Sequence, residues 1–141
     1  MNDKFEQISI KPGFMKYNGG LLFKNISDNE FHFKTKINEN HLNAAGITHG
    51  GFIAAVIDAG AGTAAHRSVN NNPCVTISLE IKYISAVKLG QELIGKTKIQ
   101  KKTKSMVFLT CELFTENKIV ATASGVWKIL NKKLPGVGPG G

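Results

Sequence analysis

The sequence predicts an α+β fold in which one long central helix is wrapped by a curved antiparallel sheet of about six strands. Three observations carry this. Residues 50–66 are apolar on nearly every side and rich in alanine. Four longer segments after them alternate apolar and polar residues, and two shorter segments of strand type precede them. With 141 residues, the chain suits one domain with one core.

Residues 1–18 have mixed composition, read as a short helix or a loop, with a break at Pro12-Gly13. Leu21–Ile26 and Phe31–Ile37 read as short strands joined by Ser27-Asp28-Asn29-Glu30, a turn composition. Phe31, Phe33, Thr35 and Ile37 fall on one face, and His32, Lys34 and Lys36 on the other. After a loop over 38–49 comes Gly50–His66, too long for an ordinary strand and alanine-rich enough to favour helix. A helix apolar on all sides is a buried one. Ser68–Pro73 ends it.

In Cys74–Ser85, Val75, Ile77, Leu79, Ile81 and Tyr83 are expected on one face, with Thr76, Ser78, Glu80 and Lys82 on the other. Glu92–Lys101, Met106–Thr115 and Lys118–Leu130 continue as strands, linked by short polar connections of hairpin length. The remainder is Lys, Pro and Gly with little to bury, read as a mobile tail. The chain thus divides into a flanking segment (1–18), a folded domain (19–130) and a tail (131–141). A single sheet covers a helix on all sides only by curling tightly around it; otherwise a second subunit supplies the other wall.

Composition narrows the function classes. The formal charge is +8, nearly all of it lysine, since Arg67 is the only arginine. The lysines are dispersed, with small groups at Lys101, Lys102, Lys104 and at Lys132, Lys133. Nucleic-acid readers rely on clustered basic faces with interleaved aromatics, which are missing here, so no nucleic-acid partner is expected. No apolar run is long enough for a membrane span, and residues 1–10 show no secretion signal. Cys74 and Cys111 sit singly in strand-like runs, as small core residues rather than a disulfide or a zinc site. Together these point to a cytoplasmic protein.

Two features carry chemistry. His49-Gly50-Gly51 stands where the helix begins, where backbone N–H groups lack intrahelical partners and the dipole adds positive charge. Glycine lets a carbonyl oxygen approach, so this turn is either an oxyanion hole or a glycine-rich turn with a structural role only. Asp58 is the only ionisable residue between His49 and His66. A carboxylate in such an apolar segment is either tied into a hydrogen-bond network or functional. Gly50 and Asp58 are eight residues apart, roughly 12 Å along one helix, so both reach one carbonyl only if a two-fold axis pairs two chains. His32 reads as exposed, and His66 is well placed for the helix C-terminal dipole. No spacing suggests a metal.

Residues 41–90 resemble the hotdog-fold acyl-CoA thioesterases of the phenylacetate-pathway type, a group with PaaI-like and human thioesterase superfamily member 2-like members. The resemblance rests on Asn43, His49-Gly50-Gly51, Asp58, the strand Val75–Tyr83 and Ser85-Ala86-Val87-Lys88-Leu89-Gly90. It implies hydrolysis of an aryl- or fatty-acyl-CoA to free acid and CoA, without metal or cofactor. The Gly50 N–H would polarise the thioester carbonyl, and Asn43 and His49 would bind or orient that end. Asp58 of the partner subunit would act as general base on water or as nucleophile, and Thr76 would help to place the water. Thr76 otherwise reads as an ordinary strand threonine. Gly51 joins the substrate-binding residues, with Lys82, Lys101, Lys102 and Lys104 as candidates for the CoA phosphates. The implied assembly is a homodimer as minimal active unit, within a tetramer of two dimers. The main alternative is a non-catalytic acyl-CoA-binding sensor on the same fold, which would not need Asp58. A hydratase would need another acid–base pair, which the loop before the helix lacks.

Overall fold

The computed structural model describes residues 4–131. The chain order is β1 (Glu6–Gln7), α1 (Phe14–Tyr17), β2 (Leu22–Asn25), β3 (Glu30–Lys36), a 3-10 turn (Glu39–His41), α2 (Gly50–Ser68), β4 (Cys74–Tyr83), β5 (Glu92–Lys102), β6 (Met106–Thr115) and β7 (Lys118–Ile129). The strands form one seven-stranded antiparallel sheet in the order β1-β2-β3-β5-β6-β7-β4. This is the hotdog arrangement expected, with one strand more than the six anticipated. The addition is β1, two residues whose exposed side chains leave no alternation to read. Ile8 and Met15, from the same mixed segment, are buried in the main core. The tail expected over 131–141 lies outside the described residues, Asn131 apart.

Helix α2 runs for 19 residues and buries Phe52, Ile53, Val56, Ile57, Ala64 and Ala65 among others. Its alanines and glycines let the sheet come close. Phe33 of β3 fills the gap between Gly60 of the helix and Gly95 of β5, where a methyl group on either glycine would fall within 2.6 Å of the ring. Burying a phenylalanine side chain contributes on the order of 2–3 kcal/mol. A second cluster gathers Ala61, Ala65, Val107 and Leu109 around Trp127. Phe31, Phe33, Thr35 and Ile37 all face inward, as the alternation predicts. No helix among the described residues is long and apolar enough to cross a membrane.

The turns follow local chemistry. Glu116 and Asn117 both have positive φ (49° and 63°), the backbone of a tight two-residue hairpin between β6 and β7. Asn70 and Asn71 take the same left-handed region (57° and 61°) just after α2, a conformation asparagine tolerates.

One expectation is corrected. The register of β4 against β7 shifts between Thr76 and Ser78, so Ile77 is the extra residue of a β-bulge. A bulge leaves one residue unpaired and reverses the alternation beyond it. Ile77 therefore does not share a face with Leu79 and Ile81; it is 54% exposed, whereas those two pack against the core. Thr76 turns toward the helix instead of away from it. Among the described residues β4 is also an edge strand, with β7 on one side and no strand on the other.

Candidate active site

The loop before α2 is built as a unit. Leu42 and Thr48 form a β-bridge, the Asn43 N–H donates to the Ile47 carbonyl (2.8 Å), and Gly46 turns the chain at φ 80°. The Asn43 side-chain oxygen accepts from the N–H groups of Ala45 (2.9 Å) and Ile47 (3.3 Å). This shapes the loop and commits the oxygen, so Asn43 has only its amide N–H groups to offer a ligand. Thr48 is fixed by its N–H (2.9 Å) and hydroxyl (2.8 Å), both donating to the Val87 carbonyl in the β4–β5 crossing.

His41 anchors the base of the loop, a role the sequence reading did not assign. It is 1% exposed, stacks on Phe52 at 3.7 Å between centroids, and accepts the Asn38 N–H at Nδ1 (3.0 Å). Its Nε2 meets the Asn18 carbonyl at 2.6 Å, and its own carbonyl accepts the His49 N–H at 2.7 Å. With Nδ1 accepting, the proton is on Nε2, so this is a neutral histidine with every polar atom engaged. The available signal was Asn38-Glu39-Asn40-His41, where Asn38 and His41 form a reciprocal cap on the 3-10 turn.

His49 is the N-cap of α2, and its Nδ1 accepts the Gly51 N–H at 2.8 Å. The Phe52 and Ile53 N–H groups both reach the His49 carbonyl. Among the described residues, the Gly50 N–H has no acceptor. One donor at the positive end of a 19-residue helix is thus left open.

The two glycines differ. A methyl group at Gly51 would sit 2.9 Å from His49 Nδ1, so Gly51 makes room for the cap. At Gly50 the nearest atoms would be those of the Tyr83 ring, from 3.5 Å outward, an ordinary contact. Packing within the chain therefore does not demand glycine at position 50. Tyr83, whose hydroxyl donates to the Gly50 carbonyl at 3.0 Å, is a second residue the sequence reading left unassigned.

Asp58 lies on the one stripe of α2 that the sheet leaves open, with Gly51 also exposed and Ala54, Ala55 and Gly62 partly so. The Thr76 hydroxyl donates to its Oδ1 at 2.7 Å. The bulge at Ile77 is what aims Thr76 at the carboxylate. Gly50 and Asp58 sit on one unbroken helix, roughly 12 Å apart along its axis, and do not meet within a chain.

The candidate lysines are scattered relative to this site. Lys82 pairs with Glu80 at 2.7 Å, both exposed, and the hydrogen bond it donates, together with its positive charge, lowers the Glu80 carboxyl pKa. Lys102 donates to the Ser68 carbonyl (3.0 Å) at the C-terminal end of α2. Lys101 and Lys104 flank it in sequence, and that end is roughly 27 Å from Gly50 of the same chain. Burial pushes the Cys74 thiol up to about 11 and the Cys111 thiol up to about 12, so neither is a ready nucleophile. Among the described residues, no three His, Cys, Asp or Glu side chains gather into a set that could hold a metal ion.

Known proteins resemble this chain in sequence and fold. Residues 45–122 match the family model described as Thioesterase superfamily. Mouse acyl-coenzyme A thioesterase 13 is 27% identical over 112 residues, covering 78% of this chain and 80% of that protein. The crystal structure of zebrafish thioesterase superfamily member 2 superposes with a TM-score of 0.78 at 22% identity, over 86% of this chain and 90% of that one. A mutant structure of the phenylacetic acid degradation protein PaaI from Thermus thermophilus gives 0.72 at 22% identity, over 82% and 97%. At such identities, the two structural likenesses speak to the fold.

Proposed function

Since the chain belongs to the Thioesterase superfamily and is a thioester hydrolase, we propose that its substrate is an acyl-CoA, cleaved between the Gly50 N–H of one subunit and Asp58 of another. The observation that carries this is the pairing of an open N–H at the start of α2 with an exposed carboxylate held by Thr76 on the open stripe of the same helix. Neither group has that placement for packing reasons.

In this reading, the thioester oxygen takes the Gly50 N–H, and the helix dipole stabilises charge as it develops there. Asp58, with Oδ1 fixed by Thr76, accepts a proton from water as the water oxygen attacks the carbonyl carbon. Collapse of the tetrahedral species breaks the C–S bond, and the proton passes from Asp58 to the CoA thiolate. His49 caps the turn, keeping Gly50 in place, and the Asn43 amide is directed to the acyl end. The active unit is then a homodimer, within a tetramer of two such dimers. The free edge of β4, with Ile77 and Ile84 each more than half exposed, offers a place for a second chain to pair.

Antiparallel helices that bring Asp58 of one chain to Gly50 of the other carry Ser68 of the first roughly 15 Å past Gly50. Lys101, Lys102 and Lys104 would then stand beyond the helix start of the opposite subunit, where the CoA phosphates would lie. Lys82, paired with Glu80, suits that role less well. A cytoplasmic setting accords with two cysteines present as free thiols.

The test is release of free CoA from a panel of aromatic, short-, medium- and long-chain acyl-CoAs by wild type and Asp58→Ala. Turnover that collapses in the variant supports the reading. Tight acyl-CoA binding by a wild type that releases no CoA would replace it with the sensor.

A further inference from the structure

Tyr83 has no assigned role, yet it is the side chain nearest to Gly50 from outside the helix. Its hydroxyl donates to the Gly50 carbonyl at 3.0 Å, and its ring atoms lie from 3.5 Å outward from the position a Gly50 side chain would take. The residue is nevertheless 54% exposed. A tyrosine half open to solvent, with its hydroxyl bonded to a main-chain carbonyl beside an open N–H, is not there to fill the core. The same strand holds Asp58 through Thr76, so β4 fastens the helix at both proposed reacting positions.

We propose that Tyr83 is a positioning residue of the thioesterase site. Its hydroxyl holds the Gly50–Gly51 peptide at the carbonyl and so restrains Gly50 from its C-terminal side, while its exposed ring walls the approach to the Gly50 N–H. The first turn of a helix is held on one side only, because its N–H groups have no preceding turn to bond. Two successive glycines make this turn more flexible still. His49 restrains the turn from the loop side, its Nδ1 taking the Gly51 N–H and its carbonyl taking the Phe52 and Ile53 N–H groups. The Tyr83 hydroxyl adds a restraint from the neighbouring strand, at the Gly50 carbonyl, without consuming the N–H the substrate needs. The aromatic face then gives the passing substrate an apolar surface on one side of the carbonyl.

This inference rests on the acyl-CoA reading, and its test separates the two. Steady-state CoA release is measured for wild type, Tyr83→Phe and Tyr83→Leu on the best acyl-CoA of the panel, alongside thermal melting. In Tyr83→Phe the ring stays and the hydroxyl goes, so kcat is expected to fall about tenfold while KM stays within about twofold and the melting temperature is unchanged. Tyr83→Leu also removes the ring, and KM rises in addition. Unchanged kcat in Tyr83→Phe, with an active wild type, overturns the positioning role and leaves the thioesterase reading standing. A loss of activity that follows the unfolded fraction in the melt, and vanishes at lower temperature, overturns it too. A wild type inactive on every acyl-CoA removes both.

Discussion

Thr76 and Asp58, eighteen residues apart in sequence, are joined by a 2.7 Å hydrogen bond that exists only because β4 carries a bulge at Ile77. An unbroken strand would share one alternation from end to end. With Leu79 and Ile81 packed on the core, it would have turned Thr76 to the outer surface. One inserted residue thus decides whether the carboxylate on α2 has a donor beside it.

Asp58→Asn should reduce turnover by at least about a hundredfold, since the amide cannot take a proton from water. Thr76→Ala should cost less, about tenfold, with Thr76→Ser close to wild type because the hydroxyl is retained. Free CoA release decides both. Full turnover in Asp58→Asn would end its role as base. Oxygen-18 from water appearing in the Asp58 carboxylate after a single turnover would make it the nucleophile instead.

A site built from two chains would be open to complementation. Asp58→Asn and a Gly50→Val chain should each be nearly inactive alone. Refolded together, they should recover roughly a quarter of wild-type turnover, because half the dimers are mixed and each mixed dimer has one intact site. No recovery from a mixture shown to form mixed dimers would rule out a site built from two chains.

Gly50→Ala and Gly51→Ala should separate function from stability. A methyl group fits at Gly50 within the chain, so melting temperature should hold or rise while kcat falls. At Gly51 it collides with the His49 ring, and loss of the cap should lower stability by about 1 kcal/mol. Equal thermal shifts in the two variants would contradict this.

Gly95→Ala should be among the most damaging single changes, because the new methyl would lie 2.2 Å from Phe33, which has the helix behind it. Overpacking of this kind costs typically about 1–3 kcal/mol. Urea denaturation measures it, and a neutral result would mean that the ring has room to move.

Stability should decline in alkali. Cys111 ionises near its ordinary range when unfolded but only near 12 when buried. Below that ordinary range both states hold the proton and the contribution is complete. As pH rises past about 9, the unfolded thiol ionises first, so stability drains away by at most about 1.4 kcal/mol per pH unit until the folded thiol ionises too. Cys111→Ala should flatten the curve between about pH 9 and about pH 11. Identical slopes would refute the assignment.

The sequence alone determined the helix, six of the strands, the inward face of β3 and the residues worth watching at the start of α2. These follow from composition and periodicity, which act over a few neighbouring residues and survive without knowledge of the partner strand. Asp58 stood out for the same reason, as a charge in an apolar run. The tertiary structure decided the rest. The bulge at Ile77 is a property of the β4–β7 register, the His41 stack on Phe52 joins two elements, and the Tyr83 bond to Gly50 spans 33 residues. Each depends on which strand pairs with which and at what offset, and no local pattern encodes that offset.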